Sequence, residues 1–217
     1  MTELAPALDT TAVSDGSNVL VVGPAMTGKR RLMYEVLAAD YSDERATGLV
    51  TTRKPADVVA MGYRERHPGV HSLAIVDCVS RQQGFSSGQT TRKRQFVSNA
   101  GDLTGIGIAL TDFMRLFDED PEIEAASIGF HTLSTLLMYA DVRRVFHFLH
   151  VLTGRVASSG YLGGFVLDTP VPENALGIIK QVFDGVVEVR EVEDTGAREY
   201  RVRGLPTAVG PRHWTEF

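Results

Sequence analysis

Between Asn18 and Arg31 the chain reads Asn-Val-Leu-Val-Val-Gly-Pro-Ala-Met-Thr-Gly-Lys-Arg-Arg, and no other stretch limits the fold as much. The uninterrupted apolar run Val19 to Val22 reads as a buried strand, Gly23 to Gly28 as a tight turn, and Lys29 to Ala39 as a helix with Leu32, Met33, Val36 and Leu37 on its apolar face. Strand, glycine-bounded turn and helix in that order are the layout of a phosphate-binding loop. Glycines let the backbone wrap closely enough for successive N–H groups to point at phosphate oxygens, and the lysine meets the charge of the terminal phosphates. The stretch Gly23, Pro24, Ala25, Met26, Thr27, Gly28 and Lys29 satisfies this pattern. The next position, where the motif asks for a hydroxyl to hold magnesium, is Arg30.

The match is not a product of composition. With 21 glycines and four lysines in 217 residues, a glycine pair at this spacing followed by lysine is expected about 0.04 times by chance. The rest of the composition is permissive. A chain of 217 residues, 43% hydrophobic and 23% charged, is long enough for one α/β core. Its formal charge of −5 argues against a surface that coats nucleic acid, although a local basic patch is compatible with it. Arginine outnumbers lysine 18 to 4, which fits a GC-rich genome or a high-salt source and says nothing of mechanism. The single Cys78 excludes an internal disulfide, fits a reducing compartment and sits in an apolar run as a small core residue. No run reaches the length of a membrane span and the N-terminus has no signal-peptide pattern, so a cytoplasmic location is expected.

Taken in order, residues 1–16 lack periodicity and read as a flexible leader. Ala46 to Thr52 is a second strand ending in Thr51 and Thr52, and Asp57 to Glu65 a helix entered through Pro55. His71 to Val79 is a third strand whose apolar run ends in Asp77. That aspartate reads either as a magnesium carboxylate beside the phosphate loop or as the turn residue of any parallel strand. Residues 80–101 turn polar and long for an idle connection, the mark of a lid or binding loop; Arg92, Lys93 and Arg94 within it are either a solvated charge run or a contact for phosphates of nucleotide or DNA.

Asp102 to Phe117 is an amphipathic helix with Leu103, Ile106, Ile108, Leu110, Phe113, Met114 and Phe117 on its apolar face. Ala125 to Phe130 is a strand leading into His131 and Thr132, and Asp141 to about Ser158 a long helix carrying Val142, Val145, Phe146, Leu149, Val151 and Leu152. His147 and His150 on that helix lack a further ligand at metal spacing and read as packing or capping residues. Tyr161 to Leu167 is a strand ending at Asp168, Glu173 to Phe183 a helix, and Gly185 to Arg203 a hairpin turning at Asp194-Thr195-Gly196; 206–217 reads as an irregular tail. Strands separated by helices, closed by a hairpin, predict a doubly wound, mostly parallel α/β sheet with an antiparallel edge, in which Gly23, Thr51, Asp77, His131 and Asp168 face one crevice.

Three stretches carry a resemblance. Gly23 to Lys29, Asp102-Leu103-Thr104-Gly105-Ile106-Gly107-Ile108-Ala109, and Leu133-Ser134-Thr135-Leu136-Leu137-Met138-Tyr139 with Phe148-Leu149-His150-Val151-Leu152-Thr153-Gly154-Arg155 are similar to the KaiC-like branch of the RecA superfamily, in particular its small single-domain members from halophilic archaea. The resemblance spans residues 17–205 and implies a RecA-like P-loop NTPase core. It also implies where the chemistry should sit. The family's magnesium aspartate ends the strand before the Leu-Ser-Thr-Leu stretch, typically as Asp-Ser, where this chain has His131 and Thr132. Its catalytic acidic pair ends the second strand, where this chain has Thr51 and Thr52. With Arg30 in place of Ser/Thr, all three groups that handle metal and water are replaced.

The expectation is therefore an ATP- or ADP-binding regulator, a pseudo-ATPase in which Lys29 and the loop amides still hold phosphate while hydrolysis falls by several orders of magnitude. Arg30 supplies positive charge where magnesium would stand, and partner proteins read the 80–101 loop. The first alternative is an active RecA-paralogue ATPase in DNA recombination or repair that draws its metal ligand from Asp77 or Asp168. The second is an interaction scaffold whose nucleotide site stays empty, filled by Arg30 and His131. Self-assembly is a habit of the family, and no membrane is expected as partner.

Overall fold

The computed structural model describes residues 7–38, 44–84, 90–171 and 174–217. Its strands are β1 (Asn18–Pro24), β2 (Arg45–Thr51), β3 (Ser72–Asp77), β4 (Arg94–Phe96), β5 (Ala125–His131), β6 (Leu162–Thr169), β7 (Gly185–Glu191), β8 (Arg198–Arg203) and β9 (Thr215–Glu216). They form one sheet in the order β4-β3-β2-β5-β6-β1-β7-β8-β9. Every pairing from β4 to β7 is parallel, and β8 and β9 add antiparallel to the edge.

Helices cover both faces. On one face lie α1 (Lys29–Leu37) and α2 (Ala56–Arg64), which bury Leu32, Met33, Leu37, Val59 and Tyr63. On the other lie α3 (Leu103–Asp118), α4 (Leu133–Tyr139), α5 (Val142–Ser158) and the short α6 (Ala175–Ile179). They bury Ile106, Phe113, Leu136, Val145, Leu149 and Ile179. This arrangement explains why β1 is apolar without alternation: Val19 and Val21 pack into the first layer, Leu20 and Val22 into the second. A strand buried on both faces has no position where a polar side chain reaches water. The hairpin register pairs Val187 with Val202 and Val189 with Tyr200, as the alternation predicts.

Five expectations need correction. The leader packs from residue 7 onward: Leu8 and Val13 are buried, the backbone N–H groups of Ala7 and Leu8 donate to the Glu35 carboxylate (2.9 and 3.2 Å), and Asp9 N–H donates to Val209 O. The tail is not irregular throughout, because β9 pairs with β8 and Phe217 lies edge-on to Tyr200 with ring centroids 5.3 Å apart. The polar stretch 80–101 contains the edge strand β4, whose three residues pair with Ile75, Val76 and Asp77; residues 85–89 of it lie outside the described residues. One residue assigned to the apolar face of its helix stands in solvent: Ile108 is 59% exposed, and Val151 on α5 is 58% exposed. The helix expected over Glu173 to Phe183 is α6 followed by a 3-10 turn over Lys180–Val182, with Glu173 itself outside the described residues.

No helix among the described residues is long and apolar enough to cross a membrane. Cys78 is buried and its thiol is pushed well above the ordinary range, first by desolvation and then by Asp77 and Asp102, in keeping with a core role. His147 and His150 are solvent-facing, and His150 stacks on Phe146 at 6.1 Å between centroids.

Candidate functional site

Parallel pairing brings the carboxyl ends of β1, β2, β3, β5 and β6 to one edge, with Gly23 beside Asp168 and Thr51 flanked by Asp77 and His131. At this edge the chain leaves β1 through a turn that only small or left-handed residues allow. A Cβ on Gly23 would sit 2.3 Å from the Val189 carbonyl oxygen, and Gly28 caps α1 with φ of 88°. Met26 also holds a positive φ, 63°, while its side chain is almost fully exposed. No side chain caps the amino end of α1, so its first N–H groups face the turn and are available to an anion. The Phe217 ring rests against Gly28, which makes the C-terminal tail one lip of the turn.

Lys29 does not point to solvent. It is 3% exposed and its ammonium folds back over the turn, donating to Pro24 O, lying 3.4 Å from Thr27 Oγ1 and pairing with Asp168 Oδ1 at 3.0 Å. Thr27, buried, donates to Pro24 O at 2.8 Å. Burial lowers the Lys29 pKa; the hydrogen bond and charge of Asp168 oppose the fall and Arg53 adds to it. The other oxygen of Asp168 meets Arg53 Nη1 at 3.4 Å.

His131, at the end of β5, is pulled down to about 4, first by burial and then by Arg30, with Arg53 and Lys29 adding and Asp168 opposing. Four ionisable groups from three segments thus act on one imidazole: three cations and one carboxylate. The neutral imidazole is the form the fold selects. Its pKa lies below that of the unfolded chain, about 6.5, so its contribution to stability is complete above that value and is lost as pH falls through about 4. His67, also lowered to about 4 by burial and by Arg66, titrates in the same window. The chain is expected to lose stability between pH 6.5 and 4 in urea unfolding, and His131→Asn to flatten that loss by on the order of 2 kcal/mol. An unchanged slope in the variant would show that His131 titrates normally.

The threonines at the strand ends hold backbone. Thr51 donates to Lys54 O at 2.7 Å and closes the turn after β2. Thr52 Oγ1 accepts from Thr132 N–H at 2.9 Å and lies 3.1 Å from the Thr135 hydroxyl, tying the end of β2 to that of β5. Thr132 donates to Val166 O at 2.9 Å, and the Ser134 hydroxyl accepts from Asp168 N–H at 2.7 Å. The last of these bonds anchors the backbone of the residue that pairs with Lys29.

Asp77 ends as the turn residue and not as a metal carboxylate. It is wholly buried, with Oδ1 accepting from Val79 and Ser80 N–H (2.8 Å each) and Oδ2 accepting from Ala56 N–H and the Ser80 hydroxyl (2.7 Å each). Four donors occupy its lone pairs. Magnesium demands a near-octahedral set of oxygens. The groups at this edge offer instead Arg30 and His131 at the expected ligand positions, a saturated Asp77, and an Asp168 held between two cations. The residues present do not fit a magnesium ion.

In the Arg92-Lys93-Arg94 cluster two of the three cations meet acids: Arg92 pairs with Glu119 at 2.8 Å and Arg94 with Asp57 at 2.5 Å. Arg94 opens the edge strand β4. Two site members escaped sequence reasoning in these roles. Arg53 carries no motif, its one signal being that it directly follows the tip of β2, and Asp168 was legible as a strand end but not as the partner of Lys29.

Residues 16–189 match the model of a family described as a family of unknown function, DUF7504. The chain belongs to that family. No curated protein matches it.

Proposed function

We propose that this DUF7504 member binds ATP or ADP through the turn Gly23 to Lys29 without a metal ion, and that it acts as a RecA/KaiC-like regulator, a pseudo-ATPase, and not as a motor. One observation carries the reading. Lys29 and Arg53 both reach Asp168, at 3.0 and 3.4 Å, and with Arg30 they act on His131, Asp168 being the one carboxylate among the described residues that opposes them, so the site has an excess of positive charge where RecA-type ATPases would hold magnesium. Uncapped N–H groups at the start of α1 add partial positive charge. A polyphosphate is the anion whose charge and length match such a site, and the strand–turn–helix layout seats its terminal groups beside Lys29.

Chain residues alone would then do the work. Lys29 leaves Asp168 for the phosphate, Arg30 and Arg53 share the remaining charge, and neutral His131 accepts a proton more readily once an anion offsets its cationic neighbours. Hydrolysis lacks support: Thr51 and Thr52 spend their hydroxyls on backbone, so no carboxylate at the second strand orients water. An active ATPase in recombination or repair has less behind it, because Asp77 is saturated. An empty scaffold has one point in its favour, since Lys29 is already neutralised by Asp168. A reader of cellular nucleotide belongs in the cytoplasm, and its output passes to protein partners.

Calorimetric titration with ATP and ADP, with and without magnesium, tests the proposal. The expected result is binding that ignores magnesium and weakens by about 10- to 100-fold in Lys29→Ala, the loss of one charge-assisted hydrogen bond of about 1.5–3 kcal/mol. ATP turnover is expected at background. Affinity indifferent to Lys29→Ala would reject the turn as the site, and binding that requires magnesium would reject the metal-free reading.

A further inference from the structure

We infer that the furrow between α3 and α5 is a docking surface for an acidic amphipathic helix of a partner protein. The inference does not depend on nucleotide binding, since the furrow lies over the opposite layer of helices from α1. Two adjoining hollows of about 320 and 530 Å³ form it, sharing Leu103, Thr104, Phe148 and Val151 as their floor and walls. Ile108 on one wall and Val151 on the other are more than half exposed, although Ile106, Leu110 and Phe113 on the first helix and Val145, Leu149 and Val156 on the second are buried. Gly107 leaves the floor open: a Cβ there would come no closer than 3.8 Å to the Phe148 ring. Side chains of this size exposed on two neighbouring helices and lining one hollow form an apolar stripe, the shape that takes the apolar face of a third helix.

The rim says what kind of helix. Arg143, Arg144, His147 and Arg155 line the hollows. The side chains of Arg143, Arg144 and His147 have no carboxylate partner among the described residues, while the backbone N–H groups of Arg143 and Arg144 donate to Asp141 Oδ1 at 3.0 Å each, and the Arg155 guanidinium meets the Thr111 hydroxyl. The one acid lining the furrow, Asp112, is held by Arg115 at 2.6 Å. A chain of net charge −5 has thus gathered unpaired cations around its exposed apolar stripe. Charge of one sign at a rim selects its opposite and suppresses like-charged partners. The apolar floor argues for a peptide over a nucleic acid, whose phosphates need no such surface.

The test uses the full chain and a labelled synthetic helix of about 18 residues, with leucines at i, i+3, i+4 and i+7 spacing and glutamates elsewhere, read by fluorescence anisotropy. A scrambled peptide of the same composition and a lysine-for-glutamate counterpart serve as controls. The glutamate helix is expected to bind at least about 10-fold tighter than either control. Ile108→Glu and Val151→Glu should each abolish that binding, and Ile108→Ser, which changes no charge, should weaken it. Arg143→Glu with Arg144→Glu should reverse the preference toward the lysine helix. Because all four positions are exposed, unchanged thermal melts are expected to accompany these losses. Equal binding of the scrambled peptide, indifference to the furrow variants, or failure of the glutamate helix to bind would overturn the inference. So would self-association removed by Val151→Glu, which assigns the furrow to a second copy, or duplex DNA binding that depends on the arginines and ignores Ile108.

Discussion

Asp77→Ala is expected to lower the unfolding free energy by about 3–5 kcal/mol, the range seen when one partner of a buried charged network is removed. Four donors from two segments lose their acceptor at once: Ala56 N–H at the start of α2, and Val79 N–H, Ser80 N–H and the Ser80 hydroxyl beyond β3. Each is inside the protein, where water cannot replace the carboxylate without opening the edge of the sheet. Asp77→Asn should cost roughly half as much, because its amide oxygen still accepts while its NH2 faces a donor. Urea unfolding measures both. The opposite pattern, a fold unchanged by Asp77→Ala with nucleotide affinity lost in magnesium, would restore Asp77 as a metal ligand and with it the ATPase reading.

Asp168→Asn is expected to act in two directions. Without ligand it leaves Lys29, 3% exposed, with only Pro24 O and the Thr27 hydroxyl for its ammonium, at a cost of about 3 kcal/mol. The deficit should shrink as pH rises. Removing Asp168 takes away the influence that holds the Lys29 pKa up, and a lysine that folding drives below its unfolded pKa gains stability as pH climbs between the two values. With ADP present the same variant should bind about 10-fold more tightly than the parent, since the carboxylate that competes for Lys29 and Arg53 among the described residues is gone. Thermal melts across an ADP titration then show a larger ligand-induced rise in the variant. If Asp168→Asn instead binds ADP more weakly, and only in magnesium, Asp168 is a metal ligand and the metal-free proposal fails.

Both predictions turn on how differently two strand-end aspartates are used. In the sequence Asp77 and Asp168 look alike, each ending an apolar run in a parallel sheet. Asp77 is folded into its own turn by neighbours two and three residues away and by Ala56, while Asp168 reaches across to Lys29, distant along the chain and adjacent only because β6 pairs with β1. Periodicity reports burial, and both are largely buried. It does not report which donors burial delivers. The misassigned Ile108 has the same origin: it stands at a helical spacing that fits an apolar face, yet it lines a furrow between α3 and α5 in which Val151 is exposed as well. The edge strand β4 was illegible because its three residues, Arg94, Gln95 and Phe96, have no alternation to read and are ordered by pairing with β3.

What the sequence by itself determined is the α/β alternation, the buried strand β1, the glycine-bounded turn with Lys29 behind it, the hairpin register and the parallel edge where strand tips meet. These follow from local physics: side-chain period, glycine's access to left-handed backbone, and the need to satisfy strand hydrogen bonds. What only the tertiary structure decided is the partner of each charge: Asp168 on Lys29, Arg53 beside them, three cations around His131, and Asp77 closed upon its own turn. An ion pair is set by the distance between chain segments that the sheet order brings together, and that order is a property of long-range packing that no local pattern encodes.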